Sequence, residues 1–214
     1  QQQYGNRSGI TSSLALPQTG PIPGPLPMVV MIESWTESGL STDRKRTERF
    51  LTNRGYAVLS IVCRRLSAIT LGPGDPADAA SAHSCRAATI RDEVFSRIEQ
   101  GIADPQAVAV LGSGLGAQLA LMTMVLQPDL FKAAILHSAL IDRSQPASGG
   151  RHVVTPLMAV VTTGKVAEEG ASDVMPFIVS SPFELAKSIR GAVLITHGKA
   201  DEMVPVEHAQ ALTR

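Results

Sequence analysis

Ala107-Val108-Ala109-Val110-Leu111-Gly112-Ser113-Gly114-Leu115-Gly116-Ala117 is the stretch whose geometry decides the architecture. Five apolar residues in a row read as a short strand buried on both faces. Small residues follow at once, and Gly116 to Leu126 continues as an apolar run of helical length. A strand that reverses into a helix lying close against it needs residues without bulk at the corner, and Gly112, Gly114 and Gly116 supply them. Similar segments lie on both sides. Met28–Ile32 and Ala57–Val62 read as strands upstream, and Ala133–Leu136 and Ala192–Thr196 as strands downstream. Ser41–Asn53, Ala87–Gly101, Pro182–Ile189 and Val206–Leu212 read as helices between or after them. In the second of these, Ile90, Val94, Phe95 and Ile98 recur at helical spacing. A Gly/Pro/Ser/Ala-rich loop covers about residues 66–82, and residues 142–180 read as an irregular insert.

Strand alternating with helix at this spacing predicts parallel crossover units. The expected fold is therefore α/β, a doubly wound and mostly parallel sheet with helices on both faces, over residues 28–214. Residues 1–27 carry Pro17, Pro21, Pro23, Pro25 and Pro27, which predicts an extended arm outside that domain. The chain begins at Gln1 and stops at Arg214 within an expected helix, so it reads as a piece of a longer protein that lacks the C-terminal part of the domain.

Composition narrows the function classes. The chain has 214 residues, 44% hydrophobic and 18% charged, as in a globular domain rather than a disordered one. Lys+Arg and Asp+Glu both number 19, so zero net charge gives nucleic-acid binding no support. Aromatic residues are 4%, too few for base-stacking platforms. No apolar run reaches the ~18–20 residues of a membrane span. Cys63 and Cys85 alone make neither a disulfide scaffold nor a cysteine-rich zinc site, and so low a count fits a reducing interior. Asp201-Glu202 has no histidines at ligand spacing, so no metal and no cofactor is expected. Arg44-Lys45-Arg46 with Arg49 reads as a solvated helix face.

Ligand sites in doubly wound sheets lie at the carboxyl ends of the strands. The corner after Leu111 satisfies two motif classes that share one geometry. Gly112, Gly114 and Ala117 fit the dinucleotide fingerprint Gly-x-Gly-x-x-Gly/Ala. Gly112, Gly114 and Gly116 fit the nucleophile elbow Gly-x-Ser-x-Gly, with glycine in place of the serine. Context favours the elbow. A fingerprint belongs on the first strand of its unit with an acid ending the next strand, whereas here two strands precede it and the next ends in His137-Ser138.

Longer stretches carry a resemblance. Ile98–Val110, Gln118–Ile135 and Ser181-Pro182 with Ala192–Pro205 resemble the catalytic domain of the prolyl oligopeptidase family of serine peptidases, as do Pro27–Ile32 and Arg54–Leu59. The resemblance covers about residues 27–214 and implies an α/β-hydrolase fold. It also assigns roles. Asp201, in His197-Gly-Lys-Ala-Asp-Glu-Met-Val-Pro205, matches the acid of the catalytic triad, which orients a histidine. Gly114 matches the nucleophile, and glycine has no side chain to attack with. Leu115 supplies the oxyanion amide that follows the nucleophile. Ile69 falls near the position of the family's oxyanion tyrosine, and Glu33-Ser34-Trp35-Thr36 replaces the His-Gly-Gly-Pro run after the first strand. No triad histidine is seen. His137 and His152 precede the acid, His197 belongs to the strand-end turn, and His208 falls on a helix.

Three strand-end motifs have changed while the buried strands remain. The expectation is a catalytically inactive peptidase-like domain, a structural or interaction subunit whose partners are other protein chains. Two alternatives stand beside it: an active serine hydrolase whose nucleophile was altered or shifted to Ser113, and nucleotide binding through Gly112, Gly114 and Ala117.

Overall fold

In a computed structural model of the chain, residues 2–7, 10–18, 24–34, 42–63, 87–139, 187–201 and 204–213 are described. Their elements are β1 (Gln2–Arg7), β2 (Ile10–Ala15), β3 (Leu26–Ser34), α1 (Thr42–Thr52), β4 (Ala57–Cys63), α2 (Ala87–Glu99), β5 (Ala103–Ser113), α3 (Leu115–Leu126), β6 (Ala133–His137), β7 (Ala192–Thr196) and α4 (Glu207–Leu212). The seven strands form one sheet in the order β1-β2-β4-β3-β5-β6-β7. β2 runs antiparallel to β1 and to β4. Every pairing from β4 through β3, β5 and β6 to β7 is parallel.

The period-2 pattern of the strands divides the core between the two faces. Met28, Val30 and Ile32 of β3, with Ala57, Leu59 and Ile61 of β4, join Ile90 and Val94 of α2 and Ala117, Ala120, Leu121 and Met124 of α3. Val29, Met31 and Val58 point the other way, toward Leu51 of α1 and Leu111 of β5. Helices therefore cover both faces of an α/β sheet, as expected. α3 is apolar on every side because it lies in the thick of the first cluster. Its position fixes the corner that feeds it.

The arm expected over residues 1–27 is not what residues 2–15 form. β1 and β2 are strands of the main sheet, and β2 pairs along its whole length with β4. The reason is local. Proline begins only at Pro17, and before it Ile10, Ser12 and Leu14 are buried while Thr11, Ser13 and Ala15 are only half-buried. In the sequence only Ile10 and Leu14 mark that buried face, since Ser12 between them is polar, and the proline-rich stretch after it outweighs so sparse a signal.

β5 also begins earlier than the apolar run suggests. The β3–β5 register jumps from Leu26↔Ala103 to Met28↔Val108, so residues 104–107 bulge out of the ladder. Pro105 sits there, and Asp104 Oδ1 accepts the Gln106 N–H at 2.8 Å to turn the chain. Lys187 and Ser188 form a turn where helix was expected, and Gly191 then enters β7 against the Phe131 carbonyl. The loop over 66–82, the insert over 142–180 and residues 182–186 lie outside the described residues. Among the described residues no helix is long and apolar enough to cross a membrane.

Candidate active site

β5 delivers the chain to the corner at Gly114, where φ is +55° and ψ is −118°. An L side chain rarely adopts a φ of this sign, and it is strained wherever it does. Two flanking glycines are held by space instead. A Cβ on Gly112 would lie 2.4 Å from the Gly116 carbonyl oxygen, and a Cβ on Gly116 would meet the Ile32 carbonyl oxygen at 2.2 Å. The first turn of α3 thus rests directly on β5 and β3. A Cβ on Gly114 meets nothing within 4 Å. The bare positions are 112 and 116, two residues before and after 114, which is the spacing of an elbow. Position 114 is the outward-facing apex of that corner, with room for a side chain and none attached.

Neighbouring strand ends are tied to this apex. The Gly114 N–H donates to the His137 carbonyl at 2.9 Å, and the Ser138 N–H donates to the Thr196 carbonyl at 2.9 Å. His137 Nδ1 and Thr196 Oγ1 lie 2.9 Å apart on the exposed side of the same rim. Ser138 itself has φ +46°, the one non-glycine residue with positive φ among those described. Two inter-strand steps, roughly 10 Å, separate the apex from the end of β7.

Asp201 lies in the turn after β7. Its Oδ1 accepts the Val204 N–H at 2.9 Å, and its own N–H donates to the Gly198 carbonyl at 3.2 Å. His197 Nε2 is 2.7 Å from the Val204 carbonyl oxygen and 3.7 Å from Asp201 Oδ2. Sequence reading passed over His197 as an ordinary strand-end residue. The signal lay in the compact His-Gly-x-x-Asp spacing, which lets one imidazole reach across the loop.

Leu115 opens α3, so its amide is among the helix's first N–H groups, which have no intrahelical acceptor. Ser113 is the exposed last residue of β5 and pairs in register with His137. It shares the α1-side face with Leu111, so its side chain does not project where one at position 114 would. Ala117 is fully buried in the core. His208 is buried on α4. Ile69, His152, Trp35-Thr36 and Glu202 lie outside the described residues.

Glu33, the next-to-last residue of β3 and the first of the run that replaces His-Gly-Gly-Pro, adds a titratable group at this end of the sheet. Burial raises its carboxyl above the usual 4.5; Arg44 opposes the shift and Glu48 adds to it. Arg44 is itself buried, its Nε 3.8 Å from Glu33 Oε2. A carboxyl with a raised folded pKa binds its proton more readily folded than unfolded. Its contribution to stability is present below 4.5 and is lost as pH rises through the folded value. Wild type should therefore lose stability relative to Glu33→Gln as pH climbs from about 4 toward 7, read as urea midpoints of the two proteins. A constant difference between them, or one that favours wild type more at higher pH, contradicts this assignment.

The arrangement to be matched is a β-strand, a glycine corner with an open apex, a buried helix, and an acid turn two strands away. The sequence profile of the prolyl oligopeptidase family matches residues 94–214, more than half of the chain. This chain belongs to the prolyl oligopeptidase family. Solved structures agree on the fold. A puromycin-hydrolyzing peptidase of Mycobacterium tuberculosis is 19% identical, with a TM-score of 0.59 over 99% of this chain and 33% of that one. Dipeptidyl peptidase 4 of Porphyromonas gingivalis is 17% identical, with a TM-score of 0.66 over 95% of this chain and 28% of that one. An acetyl xylan esterase from Paenibacillus sp. R4 is 17% identical, with a TM-score of 0.64 over 95% of this chain and 69% of that one. The chain spans about a third or less of the length of these two peptidases. No curated protein sequence matches it. The family domain here is thus α/β-hydrolase-like.

Proposed function

We propose that this prolyl-oligopeptidase-family domain performs no acyl transfer and serves as a structural or interaction subunit whose partners are other protein chains. The observation that carries the reading is Gly114. The elbow around it is fully formed, the direction a nucleophile would take is open, and only a hydrogen occupies it. Covalent acyl transfer begins with attack by a side-chain oxygen or sulfur, and glycine offers neither. Ser113 does not substitute, because it belongs to a different face of the sheet. The close packing at Gly112 and Gly116 supports a fold kept for its own sake.

The test is hydrolysis by the purified full-length protein, with peptide and ester substrates, beside its Asp201→Ala variant. The expected result is no turnover above background by either protein. Turnover that disappears in Asp201→Ala overturns the proposal.

A further inference from the structure

We infer that His197 is the positioning residue for Asp201, and that the two close a lock across the turn after β7. The lock needs no catalytic histidine and no nucleophile, so the inference holds whether or not the domain turns over substrate.

The His197 side chain is only 3% exposed, and that of Asp201 is 18% exposed. A carbonyl oxygen can only accept, so the 2.7 Å contact with Val204 O places the proton of His197 on Nε2. Nδ1 is buried without a hydrogen-bond partner among the described residues, which fits an unprotonated nitrogen better than an N–H. The same Nε2–H edge lies 3.7 Å from Asp201 Oδ2. On the other side, Asp201 Oδ1 accepts the Val204 N–H at 2.9 Å.

Val204 is thus held at both of its backbone groups, the carbonyl by His197 and the amide by Asp201. The imidazole reaches seven residues along the chain, the carboxylate three. The His197 bond closes a ring over residues 197–204 that contains Asp201 and its shorter ring to Val204, so removing the imidazole frees the segment whose amide fixes Asp201 Oδ1. Val204 and Pro205 are buried, and the His208 N–H donates to the Pro205 carbonyl at 3.1 Å as α4 begins. The lock therefore also sets where α4 leaves the sheet.

Two variants test this in the full-length protein. His197→Phe keeps the ring volume and removes the donor. His197→Gln puts an amide nitrogen near the place of Nε2. NMR amide exchange at Val204 reads the Asp201 bond directly. His197→Phe should speed that exchange by about tenfold, the protection given by one hydrogen bond of ordinary strength. It should also move the Asp201 carboxyl 13C resonance, with Val110 of β5 exchanging as before. His197→Gln should restore both signals. Should His197→Phe not fold, the imidazole 15N shifts of the wild-type protein decide: the neutral Nε2–H tautomer is required, and an Nδ1–H tautomer overturns the assignment. So does an unchanged Val204 amide in His197→Phe, or a His197→Gln protein that behaves like His197→Phe.

Discussion

Gly116→Ala should destabilise the domain by about 3 kcal/mol or more, at the upper end of what overpacking does. The added methyl would lie 2.2 Å from the Ile32 carbonyl oxygen and 3.0 Å from its carbon. Both are backbone atoms of a central strand, paired on each side, and neither can swing aside as a side chain can. α3 would have to lift from β3, and its apolar surface would lose contact along its length. Gly114→Ala is the informative comparison. It meets nothing within 4 Å and carries only the strain of its positive φ, about 1–2 kcal/mol. Urea midpoints of the two variants should therefore rank Gly116→Ala well below Gly114→Ala. Equal midpoints, or the reverse order, would mean that the helix does not rest on the strand as described.

Phe131→Ala should cost about 3–5 kcal/mol, the range for emptying an aromatic site in a packed core. Phe131 is 1% exposed and is among the largest fully buried side chains. It stands just ahead of β6, between the Leu130 that ends the turn after α3 and the Lys132 whose N–H donates to the Val108 carbonyl at 2.8 Å. The Lys132 carbonyl in turn accepts the Ala192 N–H at 3.0 Å. The ring thus anchors the segment that registers β6 against β5 and β7. Loss should show in thermal melts and as faster amide exchange at Ala192. A melting temperature within about 2 °C of wild type would contradict that role, since the expected loss is many times larger.

The legible parts of the sequence were those where side-chain period and backbone demand coincide. Met28–Ile32, Ala57–Val62, Ala133–Leu136 and Ala192–Thr196 are short apolar runs, and each is a strand within a residue or two of its expected ends. The glycines of the corner were legible because sterics leave no other choice at 112 and 116. β1 and β2 were obscured because the prolines from Pro17 onward dominate the composition of the first 27 residues. The early start of β5 was hidden by Pro105, which strands exclude unless a bulge takes it in. The role of His197 and the burial of Glu33 were not legible because they depend on packing and on reach across a loop. Neither property has a periodic signature in sequence.

The site divides along the same line. That position 114 is the apex of an elbow follows from spacing, and the structure places it there. The His-Gly-x-x-Asp spacing allows Asp201 to be gripped by its own turn, and the bonds to Val204 are what the fold adds.

The most direct measurement is fluorophosphonate labelling of the full-length protein, with the attachment site mapped by mass spectrometry, beside the same experiment on Gly114→Ser. A silent elbow predicts no adduct anywhere in the natural domain, and none on Gly114→Ser if, as we propose, the site is lost beyond that one position. An adduct on Ser113 of the natural protein, or ready labelling of the restored serine, would contradict the account.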